Sequence, residues 1–300
     1  MDVSIIIVNY NTKTLLRECL LSIIQQTVDI DYEIIVSDNG STDGSIEMLE
    51  KDFCDVILIR NYANLGFGAA NNRGLNIANG KYIFYLNSDT ILLNNAVKFF
   101  FDYWENNQEE HEIGVLGSML LDKNGCFNTS YGNLPDAKRE RKYLKNCFLS
   151  SIYVKYIYSK FHPVNCVKEY YGEVGYVMGA DLFMKNDEFA RFDERYFMFY
   201  EESDMQFRLQ NNGKKCLIIQ EPKIIHFEGG SDNRNRLIYN FRKQTSIYYW
   251  ESCILYLNKN LKEFKTSKRI FNVLKFIYLL PWNFTKYRIA IERFKKAIEK

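Results

Sequence analysis

The chain has 300 residues, 47% of them hydrophobic, 16% aromatic and 25% charged, so it can bury a sizeable core, and a disordered or collagen-like chain is excluded. A formal net charge of only +2 and four prolines argue against a uniformly basic nucleic-acid binder and against a string of linker-joined modules. The length suits one large α/β domain or one with an appendage.

Val3 to Val8 is a β-branched run of the kind buried on both faces of a parallel sheet. Thr12 to Thr27 then puts Leu15, Leu16, Cys19, Leu20, Ile23 and Ile24 on one helical stripe, with Asn11 or Thr12 as the cap. The alternation continues with a strand over Glu33 to Ser37, a helix over Ser45 to Lys51 and a strand over Val56 to Arg60. A helix across Ala69 to Ala78 and a strand over Tyr82 to Leu86 follow. Strands and helices alternating through short connections predict an α/β fold with a mostly parallel, doubly wound sheet. Residues 131 to 172 break the rhythm and are rich in Tyr, Lys and Arg, which fits either an insertion facing substrate or a solvated helix. Regular structure returns with a strand over Val174 to Met178, a helix from Glu202 to Asn211 closed by Gly213, and a strand near Cys216 to Ile219. Beyond Ser231 the pattern is helical, basic and aromatic.

Seven dispersed cysteines, at 19, 54, 126, 147, 166, 216 and 253, include no Cys-x-x-Cys pair, so neither a disulfide framework nor a zinc ribbon is expected. Asp2 stands where a secretory leader is basic, and Asn9-Tyr10-Asn11 ends the first apolar run. Ile270 to Phe284 is broken by Asn272, Lys275 and Pro281 and falls short of the roughly 20 apolar residues of a membrane span. A protein of the reducing cytoplasm is the expectation.

Each early strand ends in a polar segment: Asn9, then Asp38-Asn39-Gly40-Ser41, then Asn61 to Asn64, then Asn87-Ser88-Asp89. Ligands of open α/β sheets bind outside the carboxyl ends of the strands, so these segments should converge on one crevice. Asp38 to Asp43 offers donors and acceptors to a flat heterocycle, although a well-capped turn explains the same residues. Asn64-Leu65-Gly66-Phe67-Gly68-Ala69-Ala70-Asn71 lacks the third glycine of a dinucleotide fingerprint, yet small residues opening a helix suit a phosphate or sugar. Asp89 is placed for a divalent cation on a diphosphate, or for a plain cap. Glu201-Glu202-Ser203-Asp204 opens a helix after the aromatic run Tyr196 to Tyr200; its carboxylates favour the helix dipole, and their repulsion can also raise a pKa toward that of a general base. His226 could complete a metal shell begun by Asp89, whereas His111 and His162 read as structural.

Taken in order, Ser4 to Asn11, Asp38 to Asp43, Asn64 to Gly68, Leu86 to Asp89, Phe199 to Asp204, and His226 with Gly229-Gly230-Ser231 resemble the family 2 inverting glycosyltransferases, in their rhamnosyltransferase-like branch. The resemblance runs from about residue 3 to 231. It implies a GT-A fold, a nucleoside diphosphate sugar donor, and a glycan or lipid-linked acceptor of cell-surface polysaccharide synthesis. On that basis Asp38 pairs with the pyrimidine, helped by Asn9 and Asn39. Asn11, Asn64, Gly66, Gly68, Asn71, Asn87 and Ser88 line the donor site. Asp89 and His226 hold Mg or Mn. Glu202 is the catalytic base, Glu201 its rival, with Asp204 in support, and Gly179 and Ala180 lie on the acceptor side. Asn87 replaces the first Asp of the family's Asp-x-Asp, and Glu202 replaces its catalytic Asp.

The expected organisation is a GT-A domain over 1–230, with a nucleotide-sugar half (1–130) and an acceptor and base half (131–230), followed by a helical extension over 231–300. Rhamnose is the first expectation for the sugar, with galactofuranosyl, galactosyl, glucosyl and N-acetylglucosaminyl transfer as alternatives. A sugar-phosphate nucleotidylyltransferase would need a Gly-rich basic loop where Asn9-Tyr10-Asn11-Thr12 stands. A non-catalytic nucleotide-sugar binder would have no use for Glu202, Asp89 and His226 together. The small net charge conceals an asymmetry: residues 231–300 hold 16 Lys and Arg against 5 acids, and residues 1–230 hold 23 against 32. A basic aromatic tail fits anionic lipid, a phosphorylated carrier, protein packing or a homo-oligomer, which allows peripheral contact at the inner membrane face.

Overall fold

In the computed structural model, which describes residues 1–107, 112–153, 168–227, 244–279 and 284–299, β1 (Val3–Asn9) leads into α1 (Lys13–Gln26). β2 (Tyr32–Asp38), α2 (Ser45–Asp52), β3 (Ile57–Arg60), α3 (Phe67–Leu75) and β4 (Tyr82–Asn87) continue the alternation. Next come β5 (Thr90–Leu92), α4 (Ala96–Asn107), β6 (Ile113–Ser118), β7 (Tyr131–Gly132) and α5 (Ala137–Tyr153). β8 (Gly172–Val174), β9 (Tyr176–Val177) and β10 (Asp181–Lys185) precede α6 (Glu201–Asn211), β11 (Lys215–Ile219) and β12 (Ile224–His226). The chain closes with α7 (Gln244–Lys259), α8 (Phe264–Leu279) and α9 (Phe284–Glu299). His111, His162, Cys166, the Gly229-Gly230-Ser231 loop and the boundary expected at 230 lie outside the described residues.

Two compact units are formed. One comprises Met1–Leu134, Asn165–Glu194 and Met205–Arg234; the other comprises Pro135–Val164, Arg195–Asp204 and Asn235–Lys300. The helical C-terminal region thus has α5 and the residues leading into α6 grouped with it.

The first unit is built on an eight-stranded sheet of order β3-β2-β1-β4-β10-β6-β11-β8. β1 is parallel to β2 and β4, β2 to β3, and β11 to β6, while β10 and β8 run antiparallel to their neighbours, so the sheet is mostly parallel as expected. Its centre is apolar because both faces are covered: Ile5, Ile6, Ile7, Phe84 and Tyr85 have no exposed surface. α1 buries Leu16, Cys19, Leu20 and Ile23, while Ile24, at the edge of the stripe, is exposed. α3 lies close on β1 through Gly74, where a Cβ would come within 2.5 Å of an Ile6 methyl. A separate antiparallel pair sets β12 against β5, with His226 opposite Thr90.

The second unit is helical. α7, α8 and α9 pack on one another and α5 packs on α8. Trp250, Cys253, Ile254, Leu257, Leu274 and Phe294 are wholly buried there. Among the described residues no helix is long and apolar enough to cross a membrane.

Candidate active site

Strand register brings the polar segments of the first unit to one edge. Asn9 is the register partner of Asp38, Val8 of Asn87, and Asp38 of Arg60, so the ends of β3, β2, β1 and β4 lie side by side. Hydrogen bonds tie them together. Asn9 Nδ2 donates to Asp38 Oδ2 at 2.7 Å, Thr12 Oγ1 donates to Asn9 Oδ1 at 2.6 Å, and the hydroxyls of Thr12 and Ser88 lie 2.9 Å apart.

Asp38 has no exposed surface, and its other oxygen accepts the amides of Gly40 (3.0 Å) and Ser41 (2.8 Å). Its carboxylate therefore shapes the loop from within. Asn39 acts similarly: it donates to the Gly66 carbonyl at 3.1 Å and accepts from Asn61 Nδ2 at 3.1 Å. Asn64 accepts from the amide of Gly66 at 3.0 Å, and Asn71 donates to the Phe67 carbonyl at 3.2 Å. Gly66, at φ 90° and ψ 175°, occupies a region essentially closed to other residues, which explains the first glycine of Gly-Phe-Gly. Gly68 is buried inside α3. Asn11 is exposed, has φ 55°, and accepts the Thr42 amide at 2.8 Å. The cap expected from Asn11 or Thr12 comes instead from Asp43, whose carboxylate accepts the amides of Lys13 (2.8 Å) and Ser45 (3.1 Å) and so braces the starts of α1 and α2.

Asp89 Oδ1 and His226 Nε2 are 3.2 Å apart and both side chains are only slightly exposed. Asn87 Nδ2 lies 3.4 Å from the same nitrogen. The pairing of β12 with β5 produces this meeting, reinforced by the Phe227 amide on the Asp89 carbonyl at 3.0 Å. Neighbouring ligands on one octahedral cation at about 2.1 Å are about 3 Å apart, so a hard carboxylate oxygen and an imidazole at this spacing fit a shared Mg or Mn. The same spacing serves an ion pair without metal. Among the described residues no group of three or more His, Cys, Asp and Glu is gathered to hold a metal.

Ala180, in the turn with Gly179, accepts the Asn87 amide at 3.0 Å, which joins the two expected acceptor-side residues to the end of β4. The next residue, Asp181, was not singled out from the sequence. It is fully buried; Oδ2 accepts the Ser118 amide (2.8 Å) and hydroxyl (2.6 Å), and Oδ1 has no hydrogen-bond partner. Burial pushes its carboxyl up to about 7, against the hydrogen bonds from Ser118 and the charge of His226. The available signal was an acid heading an apolar strand, Leu182-Phe183-Met184, directly after Gly179-Ala180.

The acids of α6's first turn belong to the second unit. Glu201 is buried with Oε2 unpartnered, whereas Glu202 is half-buried. Burial raises both carboxyls above their ordinary range, and the adjacent Glu202 raises Glu201 further. Asp204 differs from both. With no exposed surface, it receives Lys259 Nζ at 2.7 and 2.8 Å, Asn260 Nδ2 at 2.8 Å and the Tyr196 hydroxyl at 3.1 Å.

A mostly parallel sheet that gathers an Asx-rich loop and a carboxylate–imidazole pair at its carboxyl edge is the architecture of an α/β protein of the GT-A type. Residues 4–151 match the family described as glycosyl transferase family 2. It is 36% identical over 121 residues to a poly(ribitol-phosphate) beta-glucosyltransferase of Bacillus spizizenii, covering 39% of this chain and 19% of that one. An N-acetylglucosaminyl-diphospho-decaprenol L-rhamnosyltransferase of Mycobacterium tuberculosis is 23% identical over 240 residues, 73% of this chain and 74% of that one. The chain spans less than half the length of the curated relatives that it matches at 36–39% identity. The crystal structure of S. aureus TarS 1-349 superposes with a TM-score of 0.52 at 17% identity, covering 99% of this chain and 81% of that one, a likeness of fold alone.

Proposed function

We propose that the chain is an inverting glycosyltransferase that moves a sugar, rhamnose in the first instance, from a nucleoside diphosphate donor to a hydroxyl of a glycan or lipid-linked acceptor in cell-surface polysaccharide synthesis. The observation that carries this reading is the Asp89–His226 pair at the end of β4, on the strand edge that also carries the Asn9–Asp38 network. Asp38, Asn39 and Asn64 hold a loop for the nucleoside, and Ser88, linked to Thr12, extends that frame toward the diphosphate. Asp89 and His226 would hold Mg or Mn, which would supply positive charge to the diphosphate leaving group. Glu202 serves as the base: burial raises its carboxyl above the ordinary range, and it is more exposed than the buried Glu201. The acceptor oxygen bonds to the anomeric carbon and its proton passes to Glu202. The carbon–oxygen bond to the diphosphate breaks with its electron pair on the leaving group, and a single displacement inverts the centre.

Rhamnose is supported by the mycobacterial relative, whose match extends over 73% of the chain; glucose, supported by the higher local identity to the Bacillus relative, is the alternative. The basic helices α8 and α9 support a peripheral contact with anionic lipid in the same reading. The test is release of nucleoside diphosphate by the purified chain with Mn and TDP-rhamnose, UDP-galactofuranose, UDP-glucose, UDP-galactose or UDP-N-acetylglucosamine. Fastest turnover of TDP-rhamnose, abolished by a chelator, is expected. Faster turnover of another donor reassigns the sugar, and pyrophosphate release from a nucleoside triphosphate with a sugar phosphate replaces the reading by nucleotidyl transfer.

A further inference from the structure

Glu201 and Glu202 follow two consecutive non-glycine residues in left-handed backbone, Phe199 at φ 69° and Tyr200 at φ 67°. Side chains disfavour that conformation, and it persists only where surrounding structure imposes it. Here α7 imposes it. Phe197 packs at a tilt against Tyr248 with ring centroids 4.4 Å apart, and Ser252 donates its hydroxyl to the Met198 carbonyl at 2.9 Å. Phe199 packs edge-on against Tyr249 at 5.9 Å. The Tyr200 hydroxyl donates to that of Tyr249 at 3.1 Å, and Tyr249 in turn donates to Glu140 Oε2, on α5, at 3.0 Å. On the other side of the acidic pair, Asp204 is gripped by Lys259 and Asn260 at the end of α7. Thus 197–200 and 204, which bracket Glu201-Glu202-Ser203, are each tied to one helix some 50 residues downstream.

We propose that Tyr249, Lys259 and Asn260 are positioning residues for the proposed transfer, holding the start of α6 through Tyr200 and Asp204 so that the Glu201–Glu202 carboxyls are presented in one fixed geometry. Asp204 is, on this account, an anchor for Lys259, and the acid–base chemistry falls to the two glutamates. The inference rests on the reading of this segment as the base of a glycosyl transfer. A misplaced catalytic group lowers the rate without altering the affinity of a separately held ligand, and displacement by about 1 Å is worth about 100-fold.

The test uses the full chain with Lys259→Met, Lys259→Arg and Tyr249→Phe. It measures kcat and KM for the donor turned over by the wild type, affinity for UDP and TDP with Mn, thermal unfolding, and amide hydrogen exchange over 196–206. Lys259→Met is expected to lower kcat by about 100-fold with nucleotide affinity within about twofold and exchange accelerated at 200–204 but not in β1 or β4. Lys259→Arg, which keeps the charge, should recover most of kcat, and Tyr249→Phe should accelerate the same exchange. An unchanged kcat with unchanged exchange in Lys259→Met overturns the proposal. So does equal loss of nucleotide affinity and of the unfolding transition, which marks a merely structural role. Where the wild type turns over no donor, the reading of the reaction fails, and the exchange measurements still decide whether the clamp exists.

Discussion

Asp181 and Asp38 are both buried carboxyls at the same sheet edge, and their surroundings treat them differently. Asp38 receives three protein hydrogen bonds across its two oxygens. Asp181 receives two on one oxygen and none on the other, and burial pushes it up to about 7. A carboxyl raised above an unfolded pKa of about 3.9 binds its proton more tightly in the native state, so the stability linked to it is full below about pH 4 and is lost as pH rises through 7. Asp181→Asn mimics the protonated form at every pH. Urea unfolding should therefore show the variant gaining on the wild type between pH 4 and pH 8, by at most about 4 kcal/mol, the linkage equivalent of about three pKa units. A constant difference across that range would show that Asp181 titrates normally. Asp204 teaches the complementary lesson: it reads in sequence as one of three acids at a helix start, and its partner Lys259 is 55 residues away, where no local pattern announces it.

At the scale of elements, the strands legible in sequence were those whose burial dictates composition. β1, β2 and β4 are continuous apolar runs because the parallel sheet is covered on both faces, and their observed ends fall within a residue of those expected. α3 begins at Phe67, two residues earlier than its small-residue pattern suggested, because Gly66 turns the chain directly into the helix. The strand expected over Val174 to Met178 is divided at Gly175, where a Cβ would approach the Gly132 carbonyl oxygen to 2.7 Å. β8 stays in the main sheet while β9 leaves it for β7. The candidate site was legible as far as its residues lay at strand ends: register sets Asn9 beside Asp38 and Val8 beside Asn87, the residue that leads into Ser88-Asp89. The meeting of His226 with Asp89 depends on β5 and β12, strands of three residues each, too short to carry a period.

For the whole molecule, the near-neutral charge is a balance of an acidic region up to residue 230 and a basic one after it. The structure gives the basic part a surface: in α8 Lys265, Lys268, Arg269 and Lys275 are exposed, the helix holds no acid, and Phe264 is 53% exposed. In α9, Lys295 and Lys296 are exposed, whereas Arg293 is engaged with Glu251 at 2.6 Å. Each lysine near an anionic leaflet contributes about 1 kcal/mol, so reversing Lys265, Lys268 and Lys275 to Glu should weaken binding to vesicles rich in phosphatidylglycerol by more than about 100-fold. Neutral phosphatidylcholine vesicles should not bind the chain, and salt should release it from the anionic ones. Equal sedimentation with both kinds of vesicle would remove the electrostatic contact.

The proposed glycosyl transfer with Glu202 as the base is tested by comparing wild type and Glu202→Gln for sugar transfer and for nucleotide affinity on the same preparations. Gln keeps the size of the side chain and cannot take a proton. Transfer should fall by at least about 100-fold, in the range of a lost general base, with affinity for the nucleoside diphosphate and Mn within about twofold of the wild type. Transfer within a few-fold of wild type would contradict Glu202 as the base, and a loss confined to Glu201→Gln would move the base to the buried neighbour.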